Sequence, residues 1–401
     1  MMQMRLLVCA LCSMASGSIA ASCRGQEGLL PNPSDPSQRG PYQVGRVLGY
    51  IDVADGWFKH TRNLTVEVWY PAMPGSEKGR PTFGYDIREH LPLRQRTKLH
   101  DAADITYQTC DCFNDLPIAN GTFPVLAYIH GTAAFRTESL QQQTHWASRG
   151  FVVVAADHPG IQLFDLLGIV DGRLPPRTNQ QSDVRGILNA LQTNIPKELA
   201  ILSGHLDWQR VAVVGHSAGG FAANDLGDVA DVLIPMAGFA PKSGKRVKSV
   251  LVLAARNDTI VPYPKEIQAY AQVSLVPRRF ASVDALGHLF CSDLCWIGAS
   301  AGGIVQIALD HGISAAKLFS SLGANGCAYL NKKSGTQYLE PQCGWAFVNY
   351  ASSGVLEETL RCDSGMAAKL SAMKNELQPP QGCPKGIVFD YREHIGETLF
   401  V

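Results

Sequence analysis

The sequence predicts an α/β fold with a mostly parallel central sheet and helices on both of its faces. Three observations carry that expectation. Short, continuous apolar runs recur through the middle of the chain, the pattern of strands buried on both faces. Segments with helical spacing lie between them, as right-handed strand–helix–strand crossovers require. The third such run ends in a serine flanked by glycines, Gly215-His216-Ser217-Ala218-Gly219. Composition agrees: of 401 residues, 46% are apolar and 17% charged, against about 25% charged in ordinary globular proteins. A chain this apolar buries a core and is not disordered. Lys+Arg and Asp+Glu number 35 each, for zero net charge, which excludes a nucleic-acid binder acting by general basicity.

Taken in order, Met1–Arg5 carries one positive charge and Leu6–Ala21 carries none. Small residues in Ser18-Ile19-Ala20 and Ala20-Ala21-Ser22 offer a cleavage site, so residues 1–22 read as a secretory signal. The apolar run is shorter than the ~20 residues that span a bilayer, and no other segment reaches that length. The protein is therefore expected to be secreted or periplasmic. Cys23 follows an incomplete lipoprotein box and is a candidate lipid anchor. Residues 23–43, rich in Pro, Ser and Gly, read as a linker, and residues 44–401 as one domain.

Within the domain, Val44–Val53 and Leu64–Tyr70 have strand composition. Pro71–Asn120 lacks clear periodicity and reads as a loop-rich excursion, with one helix near Leu91–Leu99 starting at Pro92. Phe123–Ile129 is the first buried strand, followed by a helix over Leu140–Arg149 that Gly150 ends. Phe151–Ala156 is the second strand. Val184, Ile187, Leu188 and Leu191 give Asp183–Leu191 one apolar helical face. Arg210–Val214, Val232–Met236, Val250–Ala254 and Arg279–Val283 complete the strand set. The part after Ala299, residues 299–401, reads as a helical, cysteine-bearing extension packed on the same core.

The chemistry centres on Gly215-His216-Ser217-Ala218-Gly219. Gly-x-Ser-x-Gly between a buried strand and a small-residue helix is a nucleophile elbow: a strained turn that presents the serine hydroxyl, with glycines at 215 and 219 where side chains would clash. A hydroxyl is a poor nucleophile near neutral pH and needs a base, for which histidine is suited. In this arrangement the acid and then the histidine follow the serine, each on a loop at the carboxyl end of a strand. Asp258 follows the strand Val250–Ala254, and His288 follows Arg279–Val283. Asp258 would hold the imidazole tautomer of His288. Asp284, Asp157 and Asp293 are the competing acids; His130 is the competing base. His130-Gly131-Thr132-Ala133, after the first buried strand, reads as the oxyanion loop, with the backbone amides of Thr132 and Ala218 as the donor pair. Phe135, Trp208 and Trp296 are candidates to line an apolar acyl site.

There are 11 cysteines. Setting aside Cys9, Cys12 and Cys23 leaves eight, an even number that reads as disulfides in an exported protein. Cys291 with Cys295 is a plausible pair, as are pairings among Cys327, Cys343, Cys362 and Cys383. A zinc site from His288, Cys291 and Cys295 is the sharper alternative, disfavoured because no Cys-x-x-Cys pair accompanies it. No metal and no cofactor is expected. Asn63, Asn120 and Asn257 open glycosylation acceptor patterns.

His130-Gly-Thr-Ala-Ala-Phe-Arg136, Asp157-His158-Pro-Gly160, Gly215-His-Ser-Ala-Gly-Gly220 and Val66-Glu-Val-Trp-Tyr-Pro71 together resemble the plasma-type platelet-activating-factor acetylhydrolases. They also resemble the related dienelactone-hydrolase-, chlorophyllase- and polyester-hydrolase-like enzymes. The likeness covers roughly residues 44 to 295. It implies an α/β-hydrolase fold and a secreted serine carboxylic-ester hydrolase without metal. Ser217, Asp258 and His288 match its triad positions, and Thr132 with Ala218 its oxyanion pair. The substrate it implies is a small-molecule or lipid-like ester, an acetylated phospholipid or polyester among them. In the platelet-activating-factor enzymes the acid follows the strand after the nucleophile helix. Here that strand runs into Ala237-Gly-Phe-Ala-Pro241 with no carboxylate, so the acid position resembles the polyester-hydrolase pattern. A non-catalytic binding protein of the same fold, or a serine peptidase, is the rival expectation; the first would break the triad, and the second usually carries a further domain for which there is little room.

Overall fold

The computed structural model describes residues 28–54, 61–239, 244–274, 277–313, 325–327 and 338–396. The expected signal segment, Cys23 and the first residues of the expected linker lie outside them. Each expected apolar run becomes a strand, and four short or edge strands join them: β1 Gln43–Ala54, β2 Thr61–Ala72, β3 Gly84–Asp86, β4 Tyr107–Thr109, β5 Phe113–Asn114, β6 Phe123–Ile129, β7 Val152–Ala156, β8 Leu206–His216, β9 Val232–Met236, β10 Ser249–Ala255, β11 Arg278–Val283 and β12 Val388–His394. Ten of them form one sheet in the order β12-β11-β10-β9-β8-β6-β7-β2-β1-β5, and β3 pairs with β4 apart from it. Pairing is parallel from β7 through β6, β8, β9 and β10 to β11. It is antiparallel between β1 and β2, between β2 and β7, and between β11 and β12.

The central strands β6, β7, β9 and β10 are apolar because both faces are covered. Leu126 and Tyr128 of β6 enter one core with Val153, Val214, Leu253 and Phe347. Val125, Ala127 and Ile129, one residue out of step, enter the other with Val154, Val213, Ile187 and Leu191. Side chains alternate across a strand, so an unbroken apolar run is what two buried faces require. The helices are α1 Leu93–Arg96, α2 Leu140–Ser148, α3 Leu163–Val170, α4 Gln180–Thr193, α5 Ala218–Ala223, α6 Tyr263–Ala271, α7 Ile304–Asp310, α8 Pro341–Leu360, α9 Gly365–Ser371 and α10 Met373–Glu376. Phe347, Val348, Ala351 and Val355 of α8 join the first core; Val184, Ile187, Leu188 and Leu191 of α4 join the second.

Several expectations change. The helix expected over 91–99 is the single turn α1 followed by a 3₁₀ turn over Thr97–Leu99, with Pro92 just before it. The extension is helical as expected but ends in β12, an edge strand. The part of the expected linker that is described, residues 28–43, is docked. Arg149 donates to the carbonyls of Pro33 and Gln38, Gly40 N donates to Ser148 Oγ, and Arg361 donates to the carbonyl of Leu30. Arg149 is itself fully buried and paired with Glu357 of α8, so one guanidinium ties strap, α2 and α8 together.

The cysteines pair as Cys110–Cys112, Cys295–Cys327 and Cys343–Cys383; Cys362 is also disulfide-bonded. The expected Cys291–Cys295 bond does not form. Cys291 is a free, buried thiol facing the His216 ring, while Cys295 turns to Cys327. The same bond takes Cys295 out of the zinc alternative. Among the described residues no group of three or more His, Cys, Asp or Glu is placed to hold a metal ion, and no helix is long and apolar enough to cross a membrane.

Candidate active site

The site forms at the carboxyl ends of β6, β8, β10 and β11. Parallel strands end together, so loops far apart in sequence meet at one rim. β8 runs to His216, and the chain turns through Ser217 into α5 with φ 53° and ψ −116° at the serine. This left-handed backbone is strained for a residue with a side chain, at about 1–3 kcal/mol. The glycines around it are demanded by space. A Cβ on Gly215 would lie 2.3 Å from the Gly219 carbonyl oxygen, and one on Gly219 would lie 2.1 Å from that of Ile129.

Ser217 Oγ lies 2.9 Å from His288 Nε2, and His288 Nδ1 lies 2.8 Å from Asp258 Oδ2. The other oxygen of Asp258 accepts the amides of Ile260 at 2.8 Å and Val261 at 2.9 Å, which fixes the carboxylate in one orientation. Asp258 and His288 are buried. Burial disfavours the imidazolium of His288 and lowers its pKa below the ordinary value, although Asp258 opposes that shift. The competing residues lie elsewhere. Asp284 is half exposed and pairs with Arg256 at 3.2 Å. Asp157 pairs with Arg136 at 2.6 Å. Asp293 accepts from Gln108, and burial raises its pKa to about 8.

The loop after β6 curls over the serine. The Gly131 amide donates to Glu138 Oε2 at 2.8 Å, and the Ala133 amide to the Ile161 carbonyl at 2.9 Å. The Thr132 amide between them has no hydrogen-bond partner among the described residues, and Thr132 is exposed at the cleft. Ala218 opens α5, so its amide has no intrahelical acceptor. His130 shapes the loop: its Nε2 accepts the His158 amide at 3.0 Å, and its carbonyl accepts Gln180 Nε2 at 3.0 Å. Burial holds its pKa at about 4.

Above the serine opens a cleft of about 1140 Å³, counting its mouth. Leu91, Leu99, Leu163, Leu167, Ile304 and Ile307 are among the residues of its wall, drawn from the excursion, α3 and α7. Of the aromatic candidates, Phe135 lines it. Trp208 packs on the opposite core, and Trp296 is half exposed against Trp345.

Two site residues carry no motif by which the sequence could announce them. Glu138 is buried beneath the loop, bound to the Gly131 amide and, at 2.7 Å, to His216 Nδ1. Asn325, in the cysteine-bearing extension, accepts the amides of Thr259 at 3.1 Å and His288 at 3.2 Å on one side-chain oxygen. It thereby ties the Asp258 loop to the His288 loop. A Cβ on Gly287 would lie 2.7 Å from the Asn325 carbonyl, so glycine there permits the approach.

Sheet order, elbow and strand-end loops are those of the α/β-hydrolase fold. A protein-family model described as Chlorophyllase matches residues 109–231, a span that holds the loop after β6 and the turn at Ser217. A solved structure of a ferulic acid esterase from Streptomyces cinnamoneus is similar at TM-score 0.55 and 18% identity, over 80% of this chain and 91% of that one. No curated protein matches in sequence.

Proposed function

We propose that the protein is a serine hydrolase of carboxylic esters, with Ser217 as nucleophile, His288 as base and Asp258 as the residue that orients the base. The observation carrying this reading is the unbroken chain of contacts from Ser217 Oγ to His288 Nε2 and from His288 Nδ1 to Asp258, at 2.9 and 2.8 Å. In the first step His288 takes the hydroxyl proton as Ser217 Oγ bonds to the ester carbonyl carbon. The resulting oxyanion sits on the amides of Thr132 and Ala218, where one donor is worth about 2.7–4 kcal/mol. His288 returns the proton to the departing alcohol, leaving an acyl-serine. Water, deprotonated by the same imidazole, then releases the carboxylic acid and restores the serine.

The cleft supports an apolar, uncharged substrate. Besides the histidines, its charged lining residues are Arg88 and Glu138, and each already has a partner, Asp86 and His216. Among the described lining residues no unpaired charge is left to hold a carboxylate or phosphate, while leucines and isoleucines offer room for an aliphatic chain. A phosphocholine headgroup of an acetylated phospholipid would sit outside this wall. The disulfides, with the signal-like first residues, support a secreted or periplasmic setting.

The test is turnover of p-nitrophenyl esters from acetate to decanoate by the wild type and Ser217→Ala, with methyl ferulate added because the fold neighbour is a ferulic acid esterase. The reading expects kcat/KM to rise with acyl length beyond acetate, and Ser217→Ala to fall to background. Equal turnover by the two proteins would overturn the nucleophile. No turnover of any ester, with no labelling of Ser217 by a fluorophosphonate, would return the chain to the binding-protein alternative.

A further inference from the structure

We infer that Glu138 and His216 form a second, buried carboxylate–histidine couple that positions the oxyanion loop and the base loop about the nucleophile. The inference rests on the roles proposed above for Ser217 and His288. Glu138, 1% exposed, lies on the turn between β6 and α2. Its Oε2 accepts the Gly131 amide at 2.8 Å, one peptide from the Thr132 amide. Its Oε1 accepts from His216 Nδ1 at 2.7 Å. The other nitrogen of that ring, Nε2, lies 2.9 Å from the carbonyl oxygen of His288. His216 is the residue before the nucleophile. One couple thus touches all three loops that must agree for the chemistry.

The contacts fix the protonation of the couple. Each ring nitrogen of His216 faces an acceptor, a carboxylate on one side and a carbonyl on the other. A neutral imidazole donates from one nitrogen only; the imidazolium donates from both. Burial disfavours that cation, but the Glu138 carboxylate hydrogen-bonded to Nδ1 opposes it, and the His216 pKa is raised above the ordinary value. Burial likewise works against a charged Glu138, and His216 with the Gly131 amide outweighs it.

Two consequences follow for the reaction. A lone carboxylate beneath the oxyanion site would oppose the developing negative charge; the His216 cation cancels it. The same cation lies beside His288, ring centres 4.9 Å apart, and disfavours a second positive charge there. Among the described residues the ionisable groups around the couple include His288, Asp258, Cys291, His130, Tyr128, Asp293 and Glu266, whose pKa burial also raises. Tyr128 and Cys291 are pushed up by burial and stay neutral near pH 7, Asp293 is pushed up to about 8, and His130 is held down at about 4. Near neutral pH, His216 is therefore the cation that acts on the base.

The experiment compares the full chain with Glu138→Ala and Glu138→Gln. It measures fluorophosphonate labelling of Ser217, kcat and KM on p-nitrophenyl butyrate from pH 5 to 9, and thermal unfolding. Glu138→Ala removes both anchors. Labelling and kcat should fall about 100-fold, the scale of losing one oxyanion donor, with KM within about threefold. Glu138→Gln keeps an accepting oxygen for Gly131 but leaves His216 neutral, because its amide donates toward Nδ1. It should keep most of its activity at pH 8, while the acid limb of kcat/KM moves to higher pH as His288 becomes easier to protonate. A folded Glu138→Ala with wild-type labelling overturns the inference, as does a Glu138→Gln acid limb that stays in place; the latter decides the matter alone if Glu138→Ala does not fold. Failure of the wild type itself to label would instead overturn the ester-hydrolase reading.

Discussion

Replacing Asp258 by Asn tests the proposed mechanism at its most geometric point. The substitution keeps shape and removes one charge. Asp258 Oδ1 is held by the amides of Ile260 and Val261 at 2.8 and 2.9 Å. An amide nitrogen cannot accept those bonds, so the new Asn oxygen must stay there. Its NH2 is then aimed at His288 Nδ1, which at present lies 2.8 Å from Oδ2. Two donors cannot share that contact, and the ring proton moves to Nε2. Nε2 is the atom 2.9 Å from Ser217 Oγ, and a protonated Nε2 cannot take the hydroxyl proton. The expected loss in kcat is about 10⁴-fold, the known scale for an inverted tautomer in a serine triad, or about 5 kcal/mol at 1.36 kcal/mol per decade. The assay is the steady-state rate on p-nitrophenyl butyrate at pH 8, corrected by Ser217→Ala as background. Asp284→Asn serves as control: its exposed pair with Arg256 is worth at most about 1 kcal/mol, and its rate should stay within about twofold. A loss under tenfold at 258, or a greater loss at 284 than at 258, would refute the reasoning.

Three further outcomes are expected. Burial lowers the His288 pKa and the base works deprotonated, so kcat/KM should fall as pH drops through a midpoint below 6.5; a midpoint above 7 contradicts this. Asn325→Ala frees the acid loop from the base loop and should lower kcat about tenfold at unchanged thermal midpoint, with partial recovery in Asn325→Asp, which keeps the accepting oxygen; an unchanged kcat removes the extension from the site. Glu357→Ala leaves the Arg149 guanidinium buried without its carboxylate and should cost about 3–5 kcal/mol in urea unfolding, while a cost below 1 kcal/mol would show that the strap carbonyls alone satisfy it.

How far the sequence could be read follows from where each side chain is buried. The strands β6 to β11 are apolar at nearly every position because the sheet has a core on each face, and that signal survives in a single sequence. The serine, its flanking glycines and the strand-end order of Asp258 and His288 are legible for a related reason: the turn leaves no room for side chains at 215 and 219, so only one residue type fits. By contrast, β12 lies at the sheet edge and reads Val-Phe-Asp-Tyr-Arg-Glu-His, half solvated, with no apolar run to mark it. The strap at residues 28–42 is polar because carbonyls hold it, through Arg149, and composition cannot tell such a segment from a linker. Cys291 and Cys295 are spaced as a bonded pair would be. The 3₁₀ turn at Asp293–Cys295 sends one inward to His216 and the other outward to Cys327.

Glu138 shows why the hidden part of the site is hidden. Its side chain meets Gly131, Tyr128 and His216, and through that histidine the loop of His288, so no local pattern reports it. The same holds one layer further from the serine. Glu67 of β2 binds Arg46 and Arg136, Arg136 binds Asp157, and Tyr85 from the excursion donates to Glu67. Glu67 is fully buried and both arginines nearly so. Charges so placed are tolerated only when each finds its partner, since a single unpaired one costs several kcal/mol. The proposed oxyanion loop therefore stands on a platform that is complete or absent. Arg136 is its lynchpin, because its own amide also donates to Asp157 at 2.8 Å and fixes the turn two residues before Glu138. A hydrophobic platform would fold the same sheet, yet it could not choose among rotations of the turn; paired charges with fixed hydrogen-bond directions can. On that reasoning the buried ions beneath the loop serve the alignment of the proposed donors Thr132 and Ala218 more than the stability of the domain.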